Sequence, residues 1–156
     1  MFEAVIFDMD GVIIDSEPLH IKSDLMLLSD FGIAIENDVL NQYVGTADAE
    51  MWKDLRKRFS LDISVDEIMV KSIENKKLIF SSEELEPVKG VRELLYEIKS
   101  KKLSIGLASS SPVDIIELIL KRFEIRDYFE AVISGQEVAK GKPEPDIFLK
   151  AAKLLG

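Results

Sequence analysis

Two aspartates one residue apart, Asp8 and Asp10, are the residues whose type and spacing most strongly suggest chemistry. They follow an apolar run, residues 2–7, that only Glu3 interrupts, and Gly11 comes after them. A short apolar run of this kind is typical of a buried parallel strand. Ligands of open α/β sheets bind beyond the carboxyl ends of the strands. Both carboxylates are therefore expected at a ligand site, where Gly11 lets the backbone turn closely around it.

Polar residues also follow two later predicted strands. The strand predicted at residues 103–108 leads into Ser109 and Ser110, and the strand predicted at 131–134 leads into a loop that carries Lys142. Hydroxyls and backbone N–H groups at a helix start can hold phosphate oxygens, and a lysine adds a positive charge. A carboxylate pair can hold Mg²⁺ through oxygen. The combination predicts a phosphoryl site made of Asp8, Asp10, Gly11, Ser109, Ser110 and Lys142.

Between the first two strands the pattern predicts helices only. Ser16 can cap a first helix that ends near Gly32, and Thr46 can cap a later one. Ser64 with Glu67 three residues on is a capping-box pattern that opens another helix toward Phe80. Such a stretch is too long for a simple crossover and predicts a helical insertion.

After residue 80 the pattern returns to alternating helices and strands. Ser111 and Pro112 fit the cap and first residue of one helix, and residues 146–155 fit another. The fold class predicted is α/β: a parallel Rossmann-like sheet with helices on both faces and an inserted all-helical cap. The predicted division is core at 1–15, cap at 16–80, and core again at 81–156.

Composition excludes several classes of function. The net charge of −9 argues against nucleic-acid or anionic-membrane partners, although a small anionic substrate remains compatible if a cation offsets the field. The absence of cysteine excludes thiolate catalysis and cysteine zinc sites, and a single histidine excludes a multi-histidine metal site. Because no stretch reads as a leader or membrane span, a cytoplasmic protein is expected. A monomer is also expected.

In chain order, three short motifs resemble those of the haloacid dehalogenase superfamily of phosphotransferases. They are Asp8-Met9-Asp10-Gly11-Val12, the Ser109 segment, and Lys142 followed by Pro143. The inserted helices resemble the cap of the subgroup that contains β-phosphoglucomutases and sugar-phosphate phosphatases. In this family a cis bond before Pro143 would aim Lys142 inward.

The resemblance implies a role for each site residue. Asp8 is expected to be the nucleophile that becomes an aspartyl phosphate, and Asp10 the general acid and base. Mg²⁺, which Mn²⁺ or Co²⁺ can replace, is expected on the Asp8 carboxylate and the Asp10 carbonyl. The family's fourth motif, an acidic pair after a further strand, has no match. The chain is therefore expected to be truncated, with another acidic ligand beyond Gly156, and to bind Mg²⁺ weakly in isolation.

The leading prediction is a Mg²⁺-dependent phosphatase of small phosphorylated metabolites, chiefly carbohydrates. The first alternative is β-phosphoglucomutase, which the neutral and acidic stretch after Gly45 weakens because a bisphosphate needs a second anion site. The second alternative is a non-catalytic binding module or an inactive fragment. His20 and Lys76 are candidate cap residues for substrate, although a solvated helix face is the favoured prediction for Lys76. Met51 and Trp52 are predicted to be core.

Overall fold

A computed structural model describes residues 3–44 and 46–156 of the chain, and it contains a parallel sheet of three strands. The strands are β1 (Ala4–Phe7), β2 (Ser104–Ser109) and β3 (Ala131–Ser134), in the order β1-β2-β3. Phe7 lies opposite Leu107, and Ser109 lies opposite Ser134. The three carboxyl ends therefore meet at one edge of the sheet. The predicted start of the first strand, at Phe2, lies outside the described residues.

Helices make up most of the rest of the described chain. They are α1 (Glu17–Asp30), α2 (Asn37–Asn41), α3 (Asp48–Arg58), α4 (Val65–Ser82), α5 (Val91–Ser100), α6 (Val113–Arg122) and α7 (Asp146–Leu155). Two single-turn 3₁₀ helices cover Arg126–Tyr128 and Gly135–Glu137. Within the described ranges, no helix is both long and apolar enough to cross a membrane. The strand and helix types confirm the predicted α/β class.

The chain divides into two compact units. The core unit comprises the described residues up to Ser16 together with Glu84–Gly156. The helical unit comprises Glu17–Glu83 and contains α1 to α4. The second unit ends slightly later than the predicted limit of residue 80, because α4 continues to Ser82.

In the core unit, the helices α5, α6 and α7 pack against the sheet. Ile105, Leu107 and Ala108 of β2 are fully buried, and Ile147 and Ala151 of α7 belong to the same hydrophobic cluster as Ala108. Each fully buried large aliphatic side chain contributes roughly 1.5–3 kcal/mol. This burial fixes the strands, and with them the residues that follow each strand.

The helical unit has its own hydrophobic core. Leu28 of α1, Trp52 and Leu55 of α3 and Ile68 of α4 are all inaccessible to solvent. Trp52 therefore confirms the core prediction, as does Met51, which is 6% exposed. The capping box that opens α4 is confirmed as well: the Glu67 N–H donates to the Ser64 hydroxyl at 3.2 Å, and the Glu67 carboxylate accepts from the Ser64 N–H at 3.1 Å.

Two predicted helix caps are wrong. The N-cap of α3 is Ala47, which makes no side-chain cap bond, rather than Thr46. The N-cap of α6 is Pro112 rather than Ser111. The Ser111 hydroxyl donates instead to the Asp10 carboxylate at 3.0 Å. Bonds to a charged acceptor are roughly twice as strong as neutral ones, which explains why the aspartate takes this hydroxyl.

Candidate active site

Asp8 and Lys142 form an ion pair at the carboxyl edge of the sheet. Asp8 directly follows β1, and its Oδ2 lies 2.7 Å from the Lys142 Nζ. The Met9 N–H donates to Asp8 Oδ1, also at 2.7 Å. The Asp8 side chain is nevertheless 40% exposed, against 22% for Lys142. A carboxylate has about four lone-pair sites, so Asp8 keeps acceptor capacity on a side that solvent reaches.

Lys142 reaches this position from the loop after β3. Its Nζ donates to the Ala108 carbonyl at 3.0 Å and lies 5.1 Å from the centre of the Phe148 ring. The Lys142–Pro143 peptide bond is cis. A lysine held by a carboxylate, a carbonyl and an aromatic face has lost much of its rotamer freedom before any ligand arrives.

The Asp10 carboxylate is surrounded by serine hydroxyls. The Ser16 hydroxyl donates to Oδ1 at 2.6 Å, while those of Ser109 and Ser111 donate to Oδ2 at 3.2 and 3.0 Å. These bonds to a charged acceptor fix the orientation of the carboxyl group. Asp10 is thus oriented by two segments of the core unit: Ser16 lies 6 residues away in sequence, and Ser109 and Ser111 lie 99 and 101 residues away.

The serine segment after β2 is itself tied to the neighbouring strand. Ser109 is fully buried, and its hydroxyl accepts from the Ser111 N–H at 3.1 Å. The Ser134 hydroxyl, at the end of β3, donates to the Ser111 carbonyl at 2.7 Å. A Cβ on Gly135 would lie 3.2 Å from the Ser110 Cα, so the absence of a side chain there permits this close approach. The segment is therefore held on both sides.

The other two predicted phosphate ligands contribute differently. Gly11 has φ +73°, in the left-handed region that favours glycine, as the predicted turn requires. Its N–H already donates to the Ile14 carbonyl at 2.8 Å, so this donor is used inside the turn. Ser110 is exposed beside the buried Ser109. Both stay predictions as phosphate ligands.

The oxygen donors of this site fit a hard divalent cation. Mg²⁺ takes one or two carboxylates and completes its shell with water and substrate phosphate. Asp8 offers a carboxylate that is 40% exposed, whereas three hydroxyls engage the carboxyl oxygens of Asp10. Within residues 3–44 and 46–156, no three histidine, aspartate or glutamate side chains come together as a complete metal cage. The oxygen donors of this site suit a magnesium ion that takes further ligands from the substrate.

The two candidate cap residues lie in the helical unit. His20 lines a cavity there, and its ring centroid is 5.4 Å from that of Phe80. Lys76 is 3% exposed and forms an ion pair with Asp48. The favoured prediction of a solvated face is therefore wrong for Lys76. Its position on α4 directs it into the unit, where a carboxylate compensates its charge.

Sequence reasoning missed Ser16 and Ser111 as site residues. Both were predicted to be helix caps, which is the commonest role of serine before a helical pattern. The available signal was the repeat of serine at positions 109 and 111, since alternate residues of an extended segment project to the same side. Ser16 gave no such signal.

Comparisons with known proteins give the family of this chain. Residues 5–156 match the family described as haloacid dehalogenase-like hydrolase. The chain is 35% identical over 147 residues to the "Phosphorylated carbohydrates phosphatase" of Thermotoga maritima, covering 94% of this chain and 68% of the relative. It is 32% identical over 160 residues to "Hexitol phosphatase B" of Escherichia coli K12, covering 98% of this chain and 69% of the relative.

A solved structure gives the same result for the fold. The crystal structure of β-phosphoglucomutase from Clostridium difficile superposes with a TM-score of 0.77 at 29% identity, covering 99% of this chain and 71% of that chain. The match extends over both units and all three strand-end motifs. This chain therefore belongs to the haloacid dehalogenase-like hydrolase family.

Proposed function

We propose that this protein is a phosphatase of small phosphorylated carbohydrates that works through an aspartyl phosphate on Asp8. The observation that carries the proposal is the Asp8–Lys142 pair at 2.7 Å, with 40% of the Asp8 side chain exposed. A carboxylate can attack phosphorus directly and split hydrolysis into two easier steps. Lys142 offsets the negative charge that gathers as a phosphate approaches two aspartates. The names of the relatives support carbohydrate phosphates as the substrate class.

Asp10 is the general acid and base of the proposal. In the first step it gives a proton to the leaving oxygen while Asp8 bonds to phosphorus. In the second it removes a proton from the water that attacks the aspartyl phosphate, which releases inorganic phosphate and restores Asp8. The hydroxyls of Ser16, Ser109 and Ser111 suit both forms, because a hydroxyl can rotate to donate or to accept.

Mg²⁺ is the proposed cofactor, held by the Asp8 carboxylate and the Asp10 carbonyl, with Mn²⁺ or Co²⁺ as replacements. When bound, the ion supplies positive charge that balances the phosphoryl oxygens. Removal of divalent ions with EDTA is expected to abolish phosphate release, and added Mg²⁺ to restore it.

The helical unit favours a phosphatase over the mutase alternative. A mutase passes through a bisphosphate and needs a second anion site. In the helical unit the buried Lys76 is already paired with Asp48, and Asp24 adds a further carboxylate nearby. A second phosphate would meet a compensated lysine and two acids. Phosphate release from hexose or hexitol phosphates, measured against bisphosphate-dependent conversion of β-glucose 1-phosphate, separates the two activities.

The decisive variant is Asp8→Asn, tested by phosphate release over a panel of sugar phosphates with and without EDTA. Loss of the nucleophile is expected to lower kcat at least about 10³-fold. Asp15→Asn, which removes an exposed carboxylate from the same unit, is the matched control and is expected to leave kcat unchanged. Undiminished activity of Asp8→Asn would remove the proposed mechanism. Absence of activity in the unaltered protein would favour the non-catalytic alternative.

A further inference from the structure

Lys142 lies in a loop whose backbone gives it little support. Within residues 139–145, which precede α7, Lys142 is partly buried and every other residue is exposed. An exposed loop with few buried neighbours is among the parts of a protein that open most easily. The position of the Lys142 ammonium group therefore depends on the groups that contact the far end of its side chain.

A carboxylate, a carbonyl and an aromatic ring contact that end of Lys142. The Asp8 carboxylate lies 2.7 Å from Nζ, and the Ala108 carbonyl accepts a hydrogen bond from it at 3.0 Å. Nζ also lies over the Phe148 ring, 5.1 Å from its centre. A lysine ammonium within about 6 Å of an aromatic ring centre is attracted by the negative face of the ring. The contact with Phe148 is therefore electrostatic as well as apolar.

The Phe148 ring is carried by a well-anchored helix. Phe148 lies in the first turn of α7, directly after Ile147, which is inaccessible to solvent. Ala151, one turn further on, is also inaccessible, and α7 packs on all three strands. Phe148 itself is 39% exposed. The two buried residues hold the helix on the sheet, so the half-exposed ring is free to contact the lysine.

The charge on one of these contacts changes during the proposed reaction. When an Asp8 oxygen bonds to phosphorus, the carboxylate becomes an acyl phosphate, and the negative charge then lies on the phosphoryl oxygens. The ion pair that holds Lys142 in the free protein is altered at that point. The Ala108 carbonyl and the Phe148 ring carry no formal charge and form no covalent bond in either step, so both can hold Nζ throughout.

We propose that Phe148 is a positioning residue, which holds the Lys142 ammonium group by a cation–π contact while Asp8 passes through its phosphorylated form. This inference rests on the proposed function, because that function supplies the step in which the Asp8 carboxylate loses its charge. Phe148 acts only through Lys142 and contacts neither the phosphate nor the metal ion. The negative face of the ring, rather than its apolar bulk, is the property that holds the lysine.

The test alters the charge on the ring face with little change in the size of the ring. In the full chain, Phe148 is replaced by phenylalanine that carries one, two or three ring fluorines, which withdraw electron density from the face. With a sugar phosphate and Mg²⁺, kcat/KM for phosphate release is expected to fall stepwise along this series. The total decrease should be about two- to fivefold, the value of a cation–π contact at an exposed site.

Natural side chains at position 148 provide a second comparison. Phe148→Leu keeps an apolar side chain without a π face and is expected to lose as much activity as the trifluorinated variant. Phe148→Tyr keeps the face and is expected to retain the wild-type kcat/KM. Leu149→Ala, which truncates an exposed neighbour on α7, is the control and should change nothing. Circular dichroism of each variant establishes that the fold is retained.

Two further measurements assign the effect to Lys142. In a Lys142→Ala background the fluorine series is expected to leave kcat/KM unchanged, because a contact disappears with either of its partners. The second measurement is independent of activity. The ¹³Cε–¹Hε NMR signal of Lys142, identified by its loss in Lys142→Arg, should lie upfield of the other lysine signals, because protons over a ring face are shielded.

Several results would overturn the inference. Equal rates along the fluorine series in an active protein would do so, as would full activity of Phe148→Leu or a fluorine effect that persists without Lys142. A Lys142 signal without an upfield shift would contradict the contact whether or not the protein is active. If wild type released no phosphate but showed the shifted signal, the proposed function would fail while the contact between Phe148 and Lys142 would be supported.

Discussion

Asp10 in the core unit is partly buried, and Asp24 in the helical unit is buried, but the hydrogen-bond donors around the two carboxylates differ. Asp10 accepts hydrogen bonds from three serine hydroxyls. Asp24 has an Oδ1 without any partner, and burial raises its pKa to about 6. The donors around each carboxylate account for this difference: three hydroxyls fix the orientation of Asp10, whereas Asp24 Oδ1 lacks a donor.

The lysines of the two units differ in a parallel way. Lys142 is 22% exposed and pairs with the Asp8 carboxylate, which is 40% exposed, so solvent reaches both groups. Lys76 is 3% exposed and pairs with Asp48 inside the helical unit. The two ion pairs therefore differ in the access that solvent has to the lysine.

Among the variants that test this comparison, Lys142→Ala is expected to have the largest effect. Removing the cation leaves two aspartates to face the phosphate, and kcat/KM for phosphate release is expected to fall about 10²–10³-fold. Lys140→Ala, an exposed lysine in the same loop, is the control and should retain full activity. If the two variants behaved alike, the Asp8–Lys142 pair would have only a structural role.

Urea unfolding of wild type and Asp24→Asn over a series of pH values tests the raised pKa of Asp24 in the helical unit. The pKa of Asp24 is raised in the folded protein, from 3.8 to about 6, so the folded state binds more protons than the unfolded state between these values. Wild type should therefore lose stability relative to the variant as pH rises from about 4 to about 6. Above pH 7 the variant should be more stable by up to about 3 kcal/mol.

Asp30→Asn serves as the control for that series, because it removes an exposed carboxylate from the same helix. Its stability difference from wild type should stay nearly constant across the series. A pH-independent difference for Asp24→Asn would contradict the raised pKa and would make the two aspartates alike.

The smallest effect is expected for Ser111→Ala, which removes one of the three donors to Asp10. Since two hydroxyls remain, kcat should fall only about tenfold, close to the value of one bond to a charged acceptor. Ser29→Ala, on the exposed side of α1, should leave kcat unchanged.

An unchanged kcat for Ser111→Ala would show that the hydroxyls of Ser16 and Ser109 are sufficient to orient Asp10.

Local signals were sufficient for much of the fold. The third strand and the last helix have the predicted limits, Ala131–Ser134 and Asp146–Leu155, and the Ser64 capping box opens α4 as predicted. These features depend on residues within about four positions of one another, where periodicity and capping act. The caps assigned to Thr46 and Ser111 failed, because serine and threonine offer their hydroxyls to any nearby acceptor and short-range patterns do not identify which one.

Residue types and local patterns identify which groups can do chemistry: two aspartates, a serine and a lysine, each following an apolar strand. The partners of these groups depend on the tertiary structure. Ser111 and Asp10 are 101 residues apart, and Lys142 is 34 residues from the carbonyl it contacts. Tertiary packing also buries Lys76 beside Asp48 and leaves the buried Asp24 Oδ1 without a hydrogen-bond partner. Such contacts depend on strand register and helix packing, which bring together residues that no local pattern relates.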